Sequence, residues 1–132
     1  MEIRFRYPLP PERGGGPFIK GLIEFLAAQW VPIYRATPLP PLYQGTIVYR
    51  PEPNRGQWED FKNPVETFES GWGDCDDLCF YRLVELLAHD VPATCQFLRK
   101  IGTTRMHVRV RNNGKVEDPC LILQALERRN GQ

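Results

Sequence analysis

Gly71-Trp72-Gly73-Asp74-Cys75-Asp76-Asp77 is followed at once by an apolar repeat of helical spacing. Asp74 is a good N-cap, and Asp77 at the third helical position gives a weak capping box, so a helix is expected from Cys75. Cys75, Leu78, Cys79, Leu83, Leu86 and Leu87 fall on one face of it, and Pro92 stops it. A cysteine in a first helical turn lies beside unpaired backbone N–H groups and a partial positive charge. Both favour thiolate, the nucleophilic form.

Downstream, residues 93–100 and Met106–Val110 alternate as strands, Asn113-Gly114 is a hairpin turn, and Lys115–Asp118 is a third strand ended by Pro119. Residues 121–129 suit a short terminal helix. His107 shares its parity with Arg105, Arg109 and Arg111, whereas Met106, Val108 and Val110 take the other face. His107 is therefore expected on a polar face. With a two-residue loop His107 opposes Cys120 and Asp118 is its diagonal neighbour on the same face. A four-residue loop opposes His107 and Asp118 directly, and a three-residue loop separates them. Even loops allow an imidazole–carboxylate bond.

Upstream, Ile3, Phe5 and Tyr7 alternate as a short strand. Pro17 opens an amphipathic helix over 17–30 on Phe18, Leu22, Phe25, Leu26 and Trp30. Residues 31–45 carry four prolines and read as an irregular connection. Thr46–Arg50 is a strand, and Asn63-Pro64 caps a short helix running to about Ser70. A helix followed by an antiparallel sheet gives the α+β class. The 132 residues suit a single domain, with a proline-rich part over 1–62 and a Cys-helix and β-hairpin core over 63–132.

Seventeen basic against sixteen acidic residues leave a net charge of +1, which argues against non-specific nucleic-acid binding. No apolar run reaches membrane-spanning length, and the N-terminus lacks the core of a signal peptide. Cytosolic synthesis and free thiols at Cys75, Cys79, Cys95 and Cys120 are expected.

A thiol nucleophile needs a base, and the base needs a partner that fixes its tautomer. Cys75, His107 and Asp118 supply those three roles. Trp72, three residues before Cys75, is the better candidate for a pocket wall; Trp58 suits packing. Cys79 and Cys95 suit the core, and His89 a helix C-terminus. Nearby Asp74, Asp76 and Asp77 oppose thiolate by repulsion. Cys75, Cys79, His107 and Cys120 have poor spacing for zinc, so neither metal nor cofactor is expected.

The run Gly73-Asp74-Cys75-Asp76-Asp77-Leu78, then His107-Val108-Arg109-Val110, then Val116-Glu117-Asp118-Pro119, resembles the transglutaminase-like superfamily of papain-fold thiol enzymes. It is most similar to small stand-alone members encoded by tailed phages and prophages. Pro41–Pro53 and Trp58 share in the resemblance, which covers roughly residues 40–123. It implies a Cys-bearing helix packed on a small antiparallel sheet, with Cys75 as nucleophile, His107 as base and Asp118 as orienter. Position 120 is cysteine where the related sequences tend to have serine. The implied activity is cysteine-dependent hydrolysis or acyl transfer at an amide or peptide carbonyl through a thioester. The implied substrate is a protein or peptide, cell-wall peptide included. The alternative is a non-catalytic virion component, a head–tail connector, tail or tail-tip subunit that retains the fold. The location is then the host cytoplasm during synthesis, or the virion with phage head or tail proteins as partners.

Overall fold

Asn63 and Asp74 each start a helix by the same device. The Asn63 side chain accepts from Glu66 N while Glu66 reaches back to the Asn63 backbone, and Pro64 occupies the first helical position, giving α2 over Pro64–Ser70. Asp74 and Asp77 form the second box and start α3, Cys75–Ala88. The computed structural model describes residues 5–8, 15–51, 58–99 and 106–131. The remaining helices are α1, Gly15–Ala36, a 3-10 turn over Leu42–Gln44, and α4, Pro119–Asn130. The strands are β1 (Phe5–Pro8), β2 (Val48–Tyr49), β3 (Trp58–Phe61), β4 (Trp72–Gly73), β5 (Ala93–Arg99), β6 (Met106–Asn112) and β7 (Lys115–Glu117). The fold is mixed α+β.

Among the described residues β5-β6-β7 form an antiparallel sheet, β2 and β4 a short parallel pair, and β1 and β3 an antiparallel pair. Asn112 pairs with Lys115, so the loop is the two-residue Asn113-Gly114. Both loop residues have positive φ, 51° and 86°, which the right-handed twist of a hairpin favours. Val108 and Val110 are fully buried, as their parity requires. The expected strand positions Ile3 and Lys100 and the parity residue Arg105 lie outside the described residues.

Two upstream expectations need correction. The first helix does not stop at Trp30 but runs through Pro32 to Ala36. An interior proline costs about 3 kcal/mol, and contacts beyond it offset that. Tyr34 is buried and its hydroxyl donates to Leu39 O, while Arg35 donates to Ala88 O and pairs with Asp90 at 2.9 Å. Its buried stripe is Ile23, Ala27 and Tyr34; Phe25 is 61% exposed. Helical spacing alone does not say where the stripe is centred.

α3 differs in another way. Phe80, Tyr81, Val84 and Glu85 are buried as well as the apolar face. The helix lies between two clusters. One joins it to Ile23, Ala27, Cys95, Val108 and Val110, with Trp30 edge-on to Phe80 at 6.4 Å. The other joins Leu78 and Tyr81 to Leu42, Ile47, Cys120 and Leu123. A helix packed on several sides buries most of its circumference, which a single-face reading misses. The terminal helix starts at Pro119, earlier than residue 121, because Asp118 caps it and proline suits the first helical position.

Candidate functional site

The segment entering α3 is held from three directions. Gly71 takes a left-handed φ of 79° and its N–H closes α2 on Thr67 O. Trp72 and Gly73 pair with Val48 and Tyr49. A Cβ built on Gly73 would lie 2.9 Å from Asp77 Cβ and 3.2 Å from Leu78 Cδ2. Gly73→Ala is therefore expected to push the helix start away and destabilise the fold by about 1–3 kcal/mol. A denaturant midpoint unchanged from wild type would contradict this.

Asp77 is 1% exposed. Its carboxylate accepts from Lys62 N at 2.8 Å and Asp74 N at 3.2 Å. Burial, reinforced by the charge of Asp74, pushes its pKa up. Lys62 Nζ lies 3.0 Å from the Trp72 ring centroid and donates to Trp72 O at 2.9 Å. One face of the Trp72 ring is thus engaged by an ammonium.

Cys75 occupies the first position of α3 and packs against both core clusters. Its thiol donates to Asp76 Oδ1 at 3.8 Å. Burial pushes the thiol pKa well above its ordinary value, and the charges of Asp76 and Asp74 add to that. The helix start does not overcome these effects, so the resting group is a neutral thiol. Desolvation carries the largest share, and sequence does not display it.

His107 and Asp118 are brought together. Nε2 of His107 lies 2.6 Å from Asp118 Oδ2, with side chains 39% and 13% exposed. The diagonal placement of a two-residue loop is the one realised. Asp118 has a second duty: Oδ1 accepts from Cys120 N at 3.1 Å and Leu121 N at 3.3 Å, capping α4. A carboxylate that is acceptor on both oxygens accepts a hydrogen bond from Nε2–H of a neutral imidazole, which leaves Nδ1 with the free lone pair. The structure gives His107 its bond to Asp118 and gives the Cys75 thiol its bond to Asp76; it does not hydrogen-bond Cys75 to His107. Burial pushes the Cys120 thiol pKa up, and the charges of Asp118, Asp74 and Asp76 add to that.

Asp118 also helps wall an open cleft of about 610 Å³, with Val116, Leu121 and Ile122 among its apolar surfaces. Among the described residues no group of three or more His, Cys, Asp or Glu is arranged to hold a metal ion. No helix among them is long and apolar enough to cross a membrane. The four cysteines are free, and Cys79 and Cys95 are core residues. His89 is the C-cap of α3.

A polar network next to Asp118 is absent from the sequence reading. Arg82 Nε and Nη2 grip Glu117 at 2.6 and 3.2 Å, Asn112 Nδ2 donates to Glu117 at 3.0 Å, and the Tyr43 hydroxyl donates to it too. Arg82 also contacts Glu85 at 3.2 Å. The available signal was Arg82 itself, a cation within an otherwise apolar helical run and three residues before Glu85.

Comparison with family models, with curated proteins and with solved structures finds no match to this chain.

Proposed function

We propose that the chain is a transglutaminase-like, cysteine-dependent hydrolase or acyltransferase that acts on a peptide or protein amide. The observation that carries this reading is the 2.6 Å His107–Asp118 pair, which leaves Nδ1 of a fixed imidazole free as a base. Nδ1 takes the Cys75 thiol proton as Sγ attacks the carbonyl carbon. The tetrahedral adduct collapses, the C–N bond breaks, and the imidazolium returns that proton to the departing amine. Water or an amine, deprotonated by Nδ1, then attacks the thioester. The thiolate leaves and regains the proton. The Cys75 N–H, among the first-turn donors that α3 cannot use itself, suits the oxyanion.

Because the resting thiol is neutral, proton removal accompanies attack instead of preceding it. The test is hydroxamate formation from blocked peptide amides with hydroxylamine as acceptor. Asp118→Asn keeps an α4 cap but presents the wrong hydrogen-bonding partner to Nε2. It is expected to lower kcat by 10³-fold or more, within about 0.5 kcal/mol of wild-type stability. Undiminished turnover in that variant would remove the triad.

A second reading has its own observation. The raised Cys75 pKa and the Asp76 bond favour a chain that retains the fold without catalysis; the resemblance would make that chain a virion subunit, a connector or tail part. Mass spectrometry of intact particles, coupled with wild-type assembly by Cys75→Ala protein, tests it. A host-cytoplasmic enzyme absent from particles is the opposite outcome.

A further inference from the structure

His107, Arg109 and Arg111 lie in one row on the face of β6 opposite the buried valines, with Leu98, Gln96 and Thr94 as their β5 neighbours. Alternate residues on a strand are about 6.6 Å apart, so the backbone positions of Arg109 and Arg111 step away from His107 at that interval. Three other described arginines have carboxylate partners: Arg35 with Asp90, Arg50 with Glu127, Arg82 with Glu117; Arg128 donates instead to a backbone carbonyl, Gln124 O. Arg109 and Arg111 have none among the described residues. Arg109 Nη2 donates to a neutral acceptor, Gln96 Oε1, at 3.0 Å, and its Nε is buried without any acceptor. Arg111 is exposed.

The geometry points to Arg109 and Arg111 as a carboxylate-recognition row for an extended acidic peptide, with carboxylates at alternating positions beside the residue that reaches His107. This rests on the thiol-enzyme reading for its peptide. Alternate side chains of an extended peptide repeat at the same spacing as the two arginines. Planar guanidiniums match carboxylates in paired hydrogen bonds. Two cations in a chain of net charge +1 are too few for a nucleic-acid footprint.

The experiment uses full-length Cys75→Ala protein, so binding is read without turnover. Fluorescein-labelled hexapeptides of alternating Glu and Ala are compared with the Gln-for-Glu peptide and with a single-stranded oligonucleotide of matched charge. The acidic peptide is expected to bind at least tenfold more tightly than either. Arg111→Gln, at an exposed position, weakens it several-fold, and adding Arg109→Gln removes the preference, with melting followed by circular dichroism. Equal affinity for the Gln peptide, retained preference in the folded double variant, or equal binding of the oligonucleotide overturns the proposal. Should hydroxamate formation fail while the acidic preference holds, the enzyme reading falls and the recognition row stands.

Discussion

Cys75→Ala protein is expected to form no hydroxamate above background while unfolding as wild type does. Removing the nucleophile of a triad-type site costs about 10⁶-fold in kcat, whereas a small residue at a half-buried helix start changes stability little. The charge environment makes a companion prediction. Burial, Asp76 and Asp74 hold the thiol neutral at pH 7, so iodoacetamide alkylates Cys75 more slowly than free cysteine, and the rate climbs with alkaline pH. Asp76→Asn removes the nearer of the two charges and speeds alkylation at neutral pH. Alkylation at the rate of free cysteine in wild type would mean that burial does not govern this thiol. Linkage gives the sign for stability. A thiol whose folded pKa is raised contributes stability that is complete below the unfolded pKa, about 8.5, and is lost as pH rises above it. All four thiols are raised, so the apparent Tm is expected to fall between about pH 8.5 and pH 11.

Glu117→Ala is expected to destabilise the fold by about 1.5–3 kcal/mol, because it removes the closest carboxylate from a half-buried Arg82 and leaves it Glu85 alone. At this chain length that is a fall in Tm on the order of 5–15 °C. Burial pushes the Glu117 carboxyl up, but hydrogen bonds from Arg82, Tyr43 and Asn112 outweigh it and hold the pKa below the usual range. Its contribution is therefore present above the ordinary glutamate pKa, near 4.3, and lost as pH falls through the depressed value. Thermal melts from pH 7 to pH 3 check this: the wild-type loss of stability is steeper than that of Glu117→Gln. Replacing Arg82 and Glu117 together by Met and Leu costs less than the two single truncations added together, since each single strips the other residue of its partner, although Glu85 loses its cation in the double. A double variant as unstable as the sum of the singles would show that the pair acts independently. Glu117 precedes Asp118 directly, so loosening this network also loosens the carboxylate that holds His107.

Asp74 and Asp77 made the start of α3 readable because a capping box uses only neighbouring residues. Asn113-Gly114 made the β6–β7 register readable because positive φ at both turn residues admits few alternatives. The turn rule allowed Asp118 beside His107, diagonally with a two-residue loop or directly opposite with a four-residue one, and the Asn112–Lys115 pairing realises the diagonal. The end of helix α1 is not legible in the sequence for the opposite reason. Pro32 signals a break locally, and the contacts that override it come from Leu39, Ala88 and Asp90, two of them more than fifty positions away.

By itself, the sequence determined the mixed α+β class, the helix opening at Cys75, the hairpin, and the polar-face parity of His107, because caps, turns and strand alternation are short-range. Tertiary structure alone decided the desolvation that dominates the upward shift of the Cys75 thiol, the double use of Asp118 as cap and imidazole partner, and the Arg82–Glu117 grip. Each depends on desolvation or on groups brought together from distant parts of the chain, and neither leaves a periodic trace in the order of residues.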